Sequence, residues 1–179
     1  MRIIPQACAL AILTSCASAA QPLAPQFTAT NGFAGRIVAA HNRERALVGV
    51  APVSWDAALA AGAAAYAGGM AATGVFAHSD RRSRGGVGEN LWMGTPGAFT
   101  VEQMIGSWAS EKRMFTPGVF PRVSRTGNWT AVGHYSQMIW PTTTRIGCAI
   151  ASTGRIDYLV CRYAGAGNID GRPVGYAAR

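Results

Sequence analysis

The hydrophobic pattern of this 179-residue chain predicts an α+β domain. Three helix-periodic stretches come first and a β-hairpin pattern comes last, an order that puts helices and strands in separate layers around one core. The length matches a single domain. Hydrophobic residues make up 49% and charged residues 13%, which supplies a core and excludes a disordered charged tail.

The start of the chain reads as an address rather than as structure. Met1-Arg2 is positive, Ile3 to Leu13 is largely apolar, and Ser15 to Ala20 is a cluster of small residues. This is the three-part pattern of a secretory signal peptide over residues 1–20. Its apolar run is too short to span a bilayer. A second reading is open: Leu13-Thr14-Ser15-Cys16 has the form of a lipobox, which would anchor the chain to the cell envelope through Cys16. A third is an uncleaved start. Residues 21–32, with Pro22 and Pro25, form an extended lead-in to a domain over 33–179.

Phe33, Ile37, Val38, Ala40 and Leu47 form the apolar stripe of a first helix, ended by Gly49 and Pro52. Ser54 is expected to cap a second helix through Trp55, Leu59, Ala63, Tyr66 and Met70, with Gly74 as its stop. Arg81 to Gly88 is a charged loop, and Glu89 to Met93 a short strand. Thr100 opens a third helix whose capping box is completed by Gln103 and whose apolar face is Met104, Ile105 and Trp108. Phe115 to Gly133 is a long irregular connection, and His134 to Trp140 is ambiguous. Arg145 to Ala151 and Asp157 to Tyr163 are the arms of a hairpin around Ser152-Thr153-Gly154-Arg155. Cys148 and Cys161 lie on those two arms, so an exported chain should bridge them. Two free thiols would fit the uncleaved start instead.

The net charge is +8, and Lys112 is the single lysine. Apart from Arg81, Arg82 and Arg84 the arginines are dispersed, which suits an anion-seeking surface rather than a nucleic-acid footprint. Chemistry must draw on three histidines (His41, His78 and His134) and eight acids. His41, inside the first helix, is expected to tie that helix to neighbouring loops. His78 and His134 stand at loop edges, where functional groups are displayed. No zinc-protease, nucleophile-elbow or phosphate-loop motif is present.

Four segments together resemble one known family. Gly133-His134-Tyr135-Ser136-Gln137-Met138-Ile139-Trp140-Pro141-Thr142-Thr143 and Tyr158-Leu159-Val160-Cys161-Arg162-Tyr163-Ala164-Gly165-Ala166-Gly167-Asn168 resemble the two signatures of the CAP superfamily of cysteine-rich secretory, antigen 5 and pathogenesis-related class 1 proteins. His41-Asn42-x-x-Arg45 and Gly88-Glu89-Asn90-Leu91 match its shorter motifs, and the likeness runs in family order from about Ala34 to Tyr176. The resemblance implies a three-layer α-β-α sandwich with a central cleft carrying the tetrad His78, Glu89, Glu111 and His134. It gives structural roles to His41, Asn42, Arg45, Asn90 and Asn168. The tetrad would hold Zn²⁺ weakly through His78 and His134, with Glu89 and Glu111 orienting the rings. The same likeness implies a secreted binding or defence-type module for a lipid, sterol or other small ligand; the charge pattern adds an anionic ligand and argues against nucleic acid, and no segment approaches transmembrane length. Alternatives are a hydrolase in which the tetrad, or Ser79 or Ser136 beside its histidines, assists catalysis, and an adhesion role at the envelope. The second signature usually has Pro where Gly165 stands, so a looser loop is expected before Asn168.

Overall fold

The computed structural model describes residues 32–175; the leader, the lipobox cysteine Cys16 and most of the lead-in lie outside the described residues. The order of elements is α1 (Phe33–Leu47), β1 (Ser54–Trp55), α2 (Ala57–Thr73), β2 (Gly88–Gly94), α3 (Val101–Ala109), β3 (Gly118–Val119), α4 (Gly133–Met138), β4 (Arg145–Ser152), β5 (Asp157–Ala164) and β6 (Pro173–Val174). Short 3₁₀ turns lie at Ser110–Arg113 and Trp129–Val132.

The main sheet runs β1-β4-β5-β2, with β1 parallel to β4 and the other pairs antiparallel. β5 is therefore an inner strand, and every residue from Asp157 to Cys161 is buried, as is Tyr163. Its side chains alternate between two cores, as a strand covered on both faces requires. Tyr158 and Val160 pack with Ala63, Ala67 and Met70 of α2. Leu159, Cys161 and Tyr163 pack on the other side with Ile37, Met104, Ile105, Trp108 and Met138. Helices on both faces of one sheet make the α-β-α sandwich. Cys148 and Cys161 are direct cross-strand partners and are joined by a disulfide.

Thr100 and Gln103 form the capping box of α3. Gly74 caps α2 at φ 71°. Ser54 is not the cap of α2. The backbone N–H of Ser54 donates to Thr144 O (3.0 Å) and that of Asp56 to Ile146 O (2.8 Å), which lays Ser54–Trp55 along the sheet edge. Asp56 is the cap instead, its Oδ1 accepting from the N–H groups of Ala58 and Leu59.

The α1 stripe also differs from the expectation at one end. Leu47 is 68% exposed, whereas His41, Asn42, Glu44 and Arg45 are buried. Each buried polar group has found a partner. Asn42 closes a two-way bond with the backbone of Val53, its Nδ2 donating at 3.0 Å and its Oδ1 accepting at 2.8 Å. Arg45 donates to the carbonyls of Ala51, Met138, Trp140 and Thr143 at 2.7–3.0 Å, clamping α1 to the α4–β4 connection. Burial pulls its pKa down to about 10, so it remains a cation at neutral pH.

Candidate functional site

One cavity of about 350 Å³ opens where the segment before β2, the start of α4 and the loop after β5 meet. His78, Arg81, Arg84, Glu89, Trp129, His134 and Asn168 line it. The volume suits a small ligand.

The tetrad is divided into two pairs. His78 Nδ1 donates to Glu89 Oε1 at 2.9 Å, and His134 Nδ1 donates to Glu111 Oε1 at 2.6 Å. Neither ring's Nε2 makes a hydrogen bond among the described residues. The carboxylates thus orient both imidazoles through the same ring nitrogen and leave Nε2 facing away from them. Glu111 does not line the cavity itself; it reaches the cleft through His134.

Each carboxylate is held differently. Glu89 is on β2, with its side chain fully buried. Its oxygens also accept from Ser79 N (3.0 Å) and Ser79 Oγ (2.7 Å), with Arg84 Nη1 and Arg162 Nη2 farther off at 3.5 and 3.4 Å. Burial would raise its pKa, but the bonds from His78 and Ser79 and the charge of Arg84 outweigh it, so the carboxyl titrates below its ordinary range. Glu111 stands in the turn after α3. Its Oε2 accepts the backbone N–H groups of His134 and Tyr135, both at 3.0 Å, so it caps α4 as well as orienting His134. Trp108 stacks on the His134 ring at 5.8 Å and 10° between planes, while its own Nε1–H donates to Leu91 O.

A buried chain of bonds runs from α1 to this site. His41 Nδ1–H donates to Ile37 O (2.8 Å), which leaves Nε2 to accept from Tyr163 OH (3.0 Å). Asn90 Nδ2 donates to that hydroxyl and to His134 O, both at 3.1 Å. Burial lowers the His41 pKa to about 4, so this imidazole is neutral.

The loop after β5 is tied closely. Asn168, in the left-handed region at φ 56°, donates to Gly133 O (2.8 Å) and accepts from Ser136 Oγ (2.6 Å). Gly167 N donates to Gln137 Oε1 (2.7 Å), and Thr143 Oγ1 donates to Gly165 O. Gln137 fills the space over Gly88, where a Cβ would lie 2.2 Å from its Oε1. Gly165 has φ +80°, and a Cβ there would lie 2.2 Å from Thr142 O. The looser loop expected at Gly165 is therefore absent: a tight left-handed turn, which proline's fixed φ forbids, replaces it.

Neither serine beside the histidines is bonded to an imidazole. Ser79 Oγ donates to Glu89, and Ser136, fully buried, donates to Asn168. Among the described residues, no group of three or more His, Cys, Asp or Glu side chains has metal-holding geometry. Sequence reasoning did not place Arg84, Arg162 or Trp129 at the site. The cluster Arg81-Arg82-x-Arg84 was visible, but its proximity to Glu89 and the cavity was not.

A model described as the cysteine-rich secretory protein family, CAP, matches residues 38–163. The chain is 34% identical over 134 residues to pathogenesis-related protein 1C of Nicotiana tabacum, covering 74% of this chain and 75% of that one. It is 36% identical over 132 residues to pathogenesis-related leaf protein 4 of Solanum lycopersicum, covering 73% and 76%. Among solved structures, BmVAL-1 aligns with TM-score 0.67 at 26% identity over 88% of this chain and 84% of that one. NaASP2, crystallised with Zn²⁺, aligns with TM-score 0.67 at 24% identity over 80% and 84%. The chain belongs to the cysteine-rich secretory protein, or CAP, family.

Proposed function

We propose that this chain is a secreted, defence-type binding module whose cleft takes up a divalent ion, Zn²⁺, on Nε2 of His78 and His134 and seats a small lipid or sterol-like ligand beside it. The observation that carries this reading is the matched pair of Glu–His bonds. Both occupy Nδ1 and leave Nε2 on two imidazoles that line one cavity. The crystallisation of NaASP2, a protein of the same fold, with Zn²⁺ supports the choice of ion. When bound, zinc would act as a Lewis acid with open positions for water or ligand. The protein's part is to hold the two imidazoles in place, Glu89 on one side and Glu111 on the other.

Two nitrogen ligands are fewer than the three usual at a catalytic zinc, so uptake should be weak and depend on added metal. This favours binding over hydrolysis, as does the absence of a serine–imidazole bond. Calorimetric titration of Zn²⁺ into the wild type, His78→Ala and His134→Ala tests the site. Saturable binding is expected in the wild type and loss in both variants. Glu111→Gln should weaken it about 10-fold or more, because the ring loses its charged orienting partner. Equal binding by all four proteins would overturn the site.

A further inference from the structure

We infer that the cleft contains an oxyanion site, formed by Arg84 and Arg81, for a phosphate or carboxylate group on its ligand. It deepens the binding reading above but does not require the metal. Charge around the cavity is unbalanced. Glu89 is the one acidic residue lining the cavity, and its two oxygens are already taken at 2.7–3.0 Å by His78 Nδ1, Ser79 N and Ser79 Oγ. The two guanidinium groups nearest it, Arg84 and Arg162, have only long contacts with it, 3.5 and 3.4 Å. The buried Nε of each makes no hydrogen bond among the described residues. One carboxylate is therefore shared between two guanidinium cations, and neither makes the short paired bond that Arg forms with a carboxylate.

Arg162 is settled in another way, with its head over the Tyr66 ring at 5.5 Å, and it does not line the cavity. Arg84 does line it, and its side chain is 11% exposed. Arg81, exposed at the rim, also lines it, and its one side-chain hydrogen bond among the described residues is a 3.4 Å bond to Asn168 O. Two guanidinium groups thus line one open cavity whose single lining acid is already hydrogen-bonded. Arg84, held partly away from water, attracts an anion more strongly than a surface arginine does, and Arg81 adds a second positive charge at the rim. Trp129, fixed against Phe120 at 5.2 Å and half-exposed, gives the same cavity an apolar wall for the remainder of the ligand. The chemistry selected is a small molecule or headgroup with one oxyanion beside an apolar or flat body.

The test is calorimetric titration of inorganic phosphate into the full chain at low ionic strength, in buffer stripped of metal by a chelating resin. Saturable binding is expected. Arg84→Ala should weaken it at least 10-fold and Arg81→Ala about 3-fold, the rim charge being more screened. Arg84→Lys should lie between Arg84→Ala and the wild type, because it keeps the charge without the fork; it also serves if Arg84→Ala fails to fold. Arg155→Ala, in the exposed β4–β5 turn, should bind as the wild type does. Arg81→Ala should weaken phosphate and keep zinc, which separates failure of this site from failure of the metal site. Co-sedimentation with phosphatidylcholine vesicles, with and without phosphatidic acid, then distinguishes a lipid headgroup from a free anion as the source. No saturable phosphate binding by the wild type, or equal affinity in folded Arg81→Ala and Arg84→Lys variants, would overturn the inference.

Discussion

The two histidine–glutamate pairs share one chemistry and differ in what surrounds them. His78 lies on an irregular segment, its side chain 53% exposed, and its partner Glu89 is a fully buried anion with Arg84 and Arg162 nearby. His134 opens α4, is 34% exposed and stacks on Trp108, and its partner Glu111 is occupied by backbone N–H groups. One carboxylate compensates charge and the other caps a helix. The difference teaches that equal pairing at Nδ1 does not make equal halves. The His134 side is built into the scaffold, while the His78 side depends on a balance of charges that a ligand can alter.

The largest effect should separate those roles. Glu89→Leu leaves two partly buried guanidinium groups without an anion, and breaking a buried ionic cluster from one side costs about 3–5 kcal/mol. Glu111→Leu leaves two N–H groups of α4 without an acceptor, a loss of about 2 kcal/mol. Urea denaturation of both variants against the wild type measures this. A larger loss for Glu111→Leu would show that the helix cap, not charge compensation, is the greater support, and the comparison would reverse.

What was legible in the sequence is local. The capping box of α3, the Gly74 stop and the paired arms carrying Cys148 and Cys161 all depend on residues a few positions apart or on strict alternation. What was not legible depends on distant partners. Leu47 fits the apolar period of α1 yet points to solvent, because four carbonyls from Ala51 to Thr143 make Arg45 the better residue to bury. Ser54 has the chemistry of a cap but is recruited by β4, ninety residues on in rough count, as an edge strand. In the site, the motif likeness named the histidines and glutamates. The approach of Arg162 to Glu89 joins residues 73 apart, which no spacing rule anticipates.

A third imidazole sharpens the contrast between buried and displayed histidines. His41 is fully buried, and burial, more than the nearby Arg45 charge, lowers its pKa to about 4 from the ordinary 6.5. Its bond to Ile37 O opposes the shift without cancelling it. As pH falls below 6.5 the unfolded chain takes up a proton here that the folded chain refuses until about pH 4. Stability should therefore decline across that window, by on the order of 3 kcal/mol, and level off for this group below it. Urea midpoints between pH 7 and 4 should show the decline in the wild type and a flatter profile in His41→Gln. An unchanged profile would mean that another group carries the acid sensitivity.

The smallest effect concerns an exposed carboxylate and tests whether burial, rather than a depressed pKa, is what sets Glu89 apart. Glu102 is held at about 2 by its bonds with Arg36, yet both side chains are more than 40% exposed. By sign alone, either glutamate contributes stability that is present above its unfolded pKa of about 4.5 and lost as pH falls through its folded value. For Glu102 solvent screens the pair, and exposed ion pairs commonly contribute nothing measurable. Glu102→Gln should therefore leave the urea midpoint unchanged at pH 7, with no added dependence on salt. Glu89→Gln should lower the midpoint at pH 7, and its deficit should shrink as the wild-type carboxyl is itself protonated. If Glu102→Gln proved as costly as Glu89→Gln, exposure would not discriminate between them. The contrast drawn between a carboxylate buried among guanidinium groups and one at the surface would then fail.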